Sequence, residues 1–197
     1  TICAEVNIKA IETRHSQNWV DEVIDDTEKL VERVKNAQKN KEIVSIAYHG
    51  NIVVVWESFY ENNITVFIGS DRTSLHNPWS GGYYPVGYSY DEANKLIYEN
   101  PKKFKSEVKI SLKRHVEIVN KHVKRGTYFF DYGNAFLLEA SKAEADILKK
   151  DGSFKYPSYV QDIMGPMCFD YGFGPFRWVC SSLSLIHISE PTRPLYI

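Results

Sequence analysis

Ile43-Val44-Ser45-Ile46-Ala47-Tyr48-His49-Gly50-Asn51, followed at once by Ile52-Val53-Val54-Val55-Trp56-Glu57-Ser58-Phe59-Tyr60-Glu61, is the stretch on which the fold turns. Its first half reads as a buried strand over Ile43–Tyr48, closed by the turn formers His49-Gly50-Asn51. Its second half admits two readings. Three consecutive valines favour a strand by propensity, whereas an alternation of strand and helix along the chain puts a helix over Asn51–Glu61. We take the helix, because the flanking segments alternate. Upstream, Ile2–Val6 reads as a short buried strand carrying an acid, Glu5. Asp25–Lys39 then reads as a helix, with Leu30, Val31, Val34 and Ala37 on one face and the acids Asp26 and Glu28 at its start. Downstream, Ile64–Ile68 reads as a third strand that ends in the loop Gly69-Ser70-Asp71-Arg72-Thr73-Ser74. Strand, helix, strand, helix, strand is the order of a parallel α/β sheet. Loops at the carboxyl ends of such strands build the ligand site, so Glu5, Gly50-Asn51 and Ser70–His76 are expected along one edge.

Further on, Asn77–Gly87 is a loop dense in Pro, Gly and Tyr, of a length that compact domains keep for function. Ser89-Tyr90-Asp91-Glu92 reads as an N-cap followed by first-turn acids. Pro101 divides that helix from a second, Lys102–Lys124. Thr127–Asp131 is expected as a fourth strand and Ala135–Lys150 as a helix. Asp151-Gly152-Ser153 marks the expected boundary of the first domain, 1–150.

Composition sets the outer limits. The chain has 197 residues, 43% hydrophobic and 25% charged, as soluble globular domains do. Its 24 basic and 25 acidic residues nearly cancel with no basic block, which argues against nucleic acid as a partner. The longest apolar run, Ile52–Trp56, is far too short to span a membrane. Cys3, Cys168 and Cys180 suit neither a disulfide framework nor a zinc site, and read as reduced thiols in a cytoplasmic protein. Cys168 has no partner signature for a nucleophilic role. The chain opens inside a strand without Met, so its natural start is expected further upstream. Residues 183–197 change character abruptly and are expected to be a non-native tail, of the adapter read-through kind; the chain is then a fragment.

Four groups of residues carry chemistry. An acid at the end of an early strand, here Glu5, suits the hydroxyls of a ribose, although many strands end in an acid. Asp71-Arg72-Thr73-Ser74-Leu75-His76 can hold a diphosphate, or it can be an ordinary turn capped by its own side chains. Gly81-Gly82-Tyr83-Tyr84 lets backbone approach a flat ligand while rings cover it, or is an aromatic core loop. Near the end, Arg177 between Phe176 and Trp178 suits a carboxylate, or pairs with the rings as a cation–π contact.

Three long blocks go beyond such generic signals. Ser70-Asp71-Arg72-Thr73-Ser74-Leu75-His76-Asn77-Pro78-Trp79-Ser80-Gly81-Gly82-Tyr83-Tyr84-Pro85-Val86-Gly87, Phe129-Phe130-Asp131-Tyr132-Gly133-Asn134 and Gly174-Pro175-Phe176-Arg177-Trp178-Val179 resemble, in order, the urocanase (urocanate hydratase) family. The resemblance implies a Rossmann-like parallel sheet, a partial NAD-binding domain over 1–150, with 151–182 opening the core segment. It implies a cytoplasmic, homodimeric hydro-lyase of histidine breakdown that hydrates urocanate, with tightly bound NAD+ acting as an electrophile rather than a hydride acceptor. Carried over residue by residue, Glu5 matches the ribose-binding acid and Asn51 an asparagine of the next strand-end loop. Arg72, Thr73, Ser74, Leu75 and His76 match the loop around the dinucleotide, and Tyr83, Tyr84 and Tyr132 match further cofactor contacts. Arg177 falls in a family block, and its pairing with the substrate carboxylate is our assignment.

Two positions depart from the family. Arg72 stands where glutamine is usual, exchanging an amide for a donor-only cation, and Ala10 stands where bacterial members carry arginine. The glycine-rich dinucleotide turn is expected upstream of Thr1. The motif around the active-site cysteine is expected downstream, so no catalytic residue is assigned here and the fragment alone is expected to be inactive. Two other functions fit the same fold: an NAD-dependent oxidoreductase, and a non-catalytic NAD-binding module.

Overall fold

The computed structural model describes residues 1–73, 75, 77–133 and 135–172. Elements follow in the order β1 (Ile2–Glu5), α1 (Ile8–Ser16), β2 (Glu22–Ile24), α2 (Thr27–Asn40), β3 (Ile46–His49), α3 (Ile52–Glu61) and β4 (Ile68–Asp71). A 3₁₀ turn at Pro78–Ser80 precedes α4 (Tyr90–Glu99), α5 (Pro101–Lys124), β5 (Tyr128–Asp131) and α6 (Phe136–Lys142). A π-helical turn at Tyr159–Met164 leads into α7 (Gly165–Phe169). The class is α/β, and every strand pairing between these elements is parallel.

Caps explain where the helices begin. Asp26 accepts the Lys29 amide at 2.8 Å to start α2, and Asn100 accepts the Lys103 amide at 3.0 Å to start α5. Ser89 and Glu92 form a reciprocal capping box at α4. The stretch with two readings is a helix because Asn51 accepts the Val53 amide at 3.0 Å and both sides of that helix are buried. Val53 and Trp56 enter one core, with Phe104, Val108, Leu112 and Val116 of α5 and Phe129 of β5. Val55 and Phe59 enter a second, with Leu30, Val31 and Val34 of α2 and Ile46 and Tyr48 of β3. Burial on two sides overrides the strand propensity of valine.

The strands depart from expectation in several places. Instead of one continuous sheet there are two among the described residues, ordered β1-β3-β2 and β4-β5. The third strand is not Ile64–Ile68 but Ile68–Asp71. Asn63 turns the chain through a left-handed conformation (φ 54), and Ile64 folds back onto α3, its amide on the Phe59 carbonyl at 2.9 Å. Pairing starts only where β5 does, with Ile68 opposite Tyr128. Likewise β3 begins at Ile46, the partner of Ile2, and leaves Ile43 fully exposed. The helix expected to Lys150 stops at Lys142 and turns at Glu144 (φ 61). Sequence reading missed α1 and β2 altogether: β2 has three residues, and α1 buries only Ile11 and has no first-turn acid.

Two contacts fix the layers. An added Cβ at Gly69 would lie 2.4 Å from the Trp56 ring, so the glycine is what lets α3 lie directly on β4. After the Asp151–Ser153 turn the chain remains attached: Tyr156 packs on Phe129 at 5.2 Å, and the Asp131 amide bonds the Pro157 carbonyl at 3.0 Å.

Candidate functional site

Parallel strands send their carboxyl ends to one edge, and most of the expected ligand residues stand there. Glu5 ends β1; its Oε1 accepts the Asn7 amide at 2.8 Å. Its carbonyl accepts the Gly50 amide at 2.9 Å, tying the ends of β1 and β3 together. Asn51, next in that loop, has two tasks. While its Oδ1 caps α3, its Nδ2 donates to the Tyr84 carbonyl at 2.9 Å. The Tyr84 ring stacks on Tyr90 at 5.2 Å and its hydroxyl donates to Asn94 Oδ1 at 3.1 Å. Burial, reinforced by Tyr90, pushes the Tyr84 phenol up to about 12.

The β4 end carries a denser arrangement. Asp71 is buried, and its Oδ1 accepts both the Thr73 amide at 3.0 Å and the Thr73 hydroxyl. Burial pushes its carboxyl up to about 6; the bonds from Thr73 oppose this and the nearby Asp131 reinforces it. Opposite Asp71 in register, Asp131 ends β5. It accepts the Gly133 amide at 2.9 Å and the Leu137 amide at 3.3 Å, which holds the loop that carries Tyr132. Arg72 lies over the Tyr132 ring at 4.2 Å, and Tyr132 stacks on Tyr159 at 5.1 Å with planes 3° apart.

The remaining expected residues divide. Leu75 and Tyr83 have buried side chains, so they anchor their loops in the core. The Tyr83 hydroxyl shares a hydrogen bond with His115 Nδ1 at 3.3 Å. Burial, with the Asp71 charge, raises that phenol well above its usual range. Ser74, His76 and Arg177 lie outside the described residues. Asp71 was named from sequence only with its loop, and its bonds to Thr73 form the self-capped turn that was the alternative reading there; Asp131 and Tyr159 were not singled out. Both acids had a signal in the spacings Asp71-Arg72-Thr73 and Asp131-Tyr132-Gly133, which suit a side chain bonding the amide two residues on; for Tyr159 there was none.

Chemically the edge offers a carboxylate, a guanidinium, hydroxyls and stacked rings around the open ends of parallel strands. Such a set suits a ribose, a diphosphate and a flat ring. Among the described residues, no helix is long and apolar enough to cross a membrane.

Fold and edge together define a Rossmann-like α/β domain. The model of the Urocanase Rossmann-like domain matches residues 1–163, and the chain belongs to the urocanase family. It is 55% identical over 185 residues to a probable urocanate hydratase of Dictyostelium discoideum and 49% identical over 189 residues to the urocanate hydratase of Homo sapiens. Each match covers 92% of this chain but only 27% and 28% of those relatives, so the chain spans little more than a quarter of their length.

Proposed function

We propose that this chain supplies the NAD+-binding part of a urocanate hydratase, a hydro-lyase that adds water to urocanate to give imidazolonepropionate. The observation that carries this reading is the change from one sheet to the other after β3. From β1 the chain passes to the edge strand β2 and comes back to β3, between the two, before α3 leads it to β4 and β5 in the other sheet. Ligands of open α/β sheets bind at such a switch point, outside the carboxyl ends of the strands. Glu5 ends one side of it, and Arg72 and Thr73 follow the end of the other.

NAD+ fits this donor set. Bound there, it would supply an electrophilic nicotinamide ring to accept electron density from the substrate. Glu5 would accept hydrogen bonds from a ribose. Arg72, Thr73, Ser74, Leu75 and His76 would form the loop along the diphosphate, Leu75 through its backbone. Asn51 and Tyr84 would hold the neighbouring loop in place, Tyr83 would anchor it from the core, and Tyr132 would present a ring face. Arg177 would meet the substrate carboxylate. Residues 1–150 form the cofactor part and 151–182 begin the next segment, in a cytoplasmic homodimer.

The parent-length protein given NAD+ and urocanate decides the matter. Urocanate's ultraviolet absorbance falls and no NADH absorbance appears. Accumulating NADH would point to an oxidoreductase, and cofactor binding with neither change to a non-catalytic module. The 197-residue chain alone consumes no urocanate.

A further inference from the structure

We propose that Tyr159 is a positioning residue of the cofactor edge: it closes one face of the Tyr132 ring, so that Tyr132 meets NAD+ only from the side on which Arg72 lies. This rests on the cofactor reading above and extends it. Tyr159 stands beyond the Asp151–Ser153 turn, in the segment that reading leaves to the next part of the protein.

Three observations converge. First, the chain around Tyr159 runs along the end of β5. Ser158 bridges Asp131 in parallel, and the Asp131 amide donates to the Pro157 carbonyl at 3.0 Å. On its other side Asp131 has Asp71 opposite it, so the end of β5 lies between β4 and this segment. Continued by one and two residues, the bridge sets Tyr132 beside Tyr159 and Gly133 beside Val160. Both pairs are in contact. The two tyrosine rings stack, and an added Cβ at Gly133 would lie 2.6 Å from Val160 Cγ2. With φ at 99°, Gly133 is also in a backbone conformation that suits only glycine.

Second, both faces of the Tyr132 ring are covered, and by unlike groups. Tyr159 stacks on it at 5.1 Å with planes 3° apart, and the Arg72 guanidinium lies over it at 4.2 Å. One face of a phenol has room for one flat group at contact distance, so the two take opposite faces. Tyr159 is half-buried and packs on Phe130 at 5.9 Å, whereas Arg72 is exposed. The Tyr159 face is therefore fixed, and the Arg72 face is the one a ligand reaches.

Third, Tyr159 opens a turn that is locked from within. The Ser158 amide donates to Asp162 Oδ2 at 2.7 Å, and the Asp162 amide donates to the Ser158 carbonyl at 2.8 Å. These two bonds hold the start of the π-helical turn Tyr159–Met164. Such turns are rare and often mark functional sites.

The test uses the parent-length protein stripped of NAD+, with the variants Tyr159→Phe and Tyr159→Leu. Tyr159→Leu weakens NAD+ binding by about 3- to 10-fold, the effect of losing one aromatic pair. Tyr159→Phe keeps the ring and stays within about 2-fold of the parent. In the cofactor-free protein, the Gly133 amide exchanges at least about 5-fold faster in Tyr159→Leu than in Tyr159→Phe. A lower Tm for Tyr159→Leu with NAD+ affinity and Gly133 exchange unchanged would show a ring that only packs, and overturns the proposal. Equal weakening by both variants overturns it too, because the hydroxyl would then carry the effect. Should Tyr159→Leu not fold, the unaltered protein decides. NAD+ slows the Gly133 and Ser158 amides together, each by at least about 5-fold; slowing of Gly133 with Ser158 unchanged overturns the proposal. Absence of NAD+ binding by the unaltered protein overturns the cofactor reading and this proposal together, whereas binding that Tyr159→Leu leaves intact overturns this proposal alone.

Discussion

Asp71 and Asp131 stand opposite each other as the last residues of two paired parallel strands, and both are buried. Each spends its carboxylate on its own following loop: Asp71 on the amide and hydroxyl of Thr73, Asp131 on the amides of Gly133 and Leu137. The two loops so held carry Arg72 and Tyr132, which meet face to face. The acids thus set the shape of the candidate cofactor edge from beneath.

The Asp71 carboxyl, pushed to about 6 against an ordinary 3.8, holds its proton longer in the folded chain than in the unfolded one. Folding therefore takes up a proton between these values, and stability falls as pH rises through the window. The shift amounts to about 3 kcal/mol. Asp71→Asn keeps an oxygen for Thr73 and removes the ionisation. Denaturant unfolding from pH 4 to 7 should show the variant gaining on the parent by up to that amount; a constant difference across the range would refute the assignment.

His115 acts in the opposite sense. Burial lowers it to about 3, so the unfolded chain protonates first and stability is lost as pH falls below 6.5. At pH 5 the loss is about 2 kcal/mol. His115→Leu gives up the Tyr83 hydroxyl bond, at about 1 kcal/mol near neutral pH, but escapes the acid loss. The two stability curves should cross between pH 7 and pH 5. Parallel curves would show that His115 stays as accessible to protons as in the unfolded chain.

Asn51 can be dissected by two substitutions. Asn51→Ala loses the α3 cap and leaves the Tyr84 carbonyl without its donor, costing about 1–2 kcal/mol. Asn51→Asp keeps the cap and loses only the donor, so it should cost about half as much. Equal losses would assign the whole effect to the Tyr84 link.

Arg72→Gln removes the cation over Tyr132, a contact worth about 0.5–1 kcal/mol at exposed sites. In the parent-length protein, NAD+ affinity should change by about 2- to 5-fold, and its dependence on salt should weaken. An unchanged salt dependence would place Arg72 away from the diphosphate.

Sequence made the helices legible where a cap precedes an amphipathic run or first-turn acids, as Asp26 and Ser89 do; α1, capped by Asn7 but burying only Ile11, was missed. Strand limits were less legible, because a strand ends where its partner does: Ile68–Asp71 is set by Tyr128–Asp131, some 60 residues away. The strand–helix alternation was enough to put Glu5, Asn51 and Arg72 along one edge. It could not separate Tyr83 from Tyr84. These neighbours differ only in that one ring points to α5 and the other to α4, a matter of tertiary packing. Nor could it reveal that Asp71 is buried, since acids are rarely hidden without a long-range reason.

Helix α3 belongs to both hydrophobic cores, and this has a mechanical consequence. Among the described residues the two halves at the sheet edge are locked together, because any rigid rotation of one half would pull Trp56 or Phe59 out of its packing. Adjustment to a ligand is therefore confined to small sliding of loops over a fixed frame. For the same reason the two halves should melt in a single calorimetric transition, with α3 as the splint that neither can shed first.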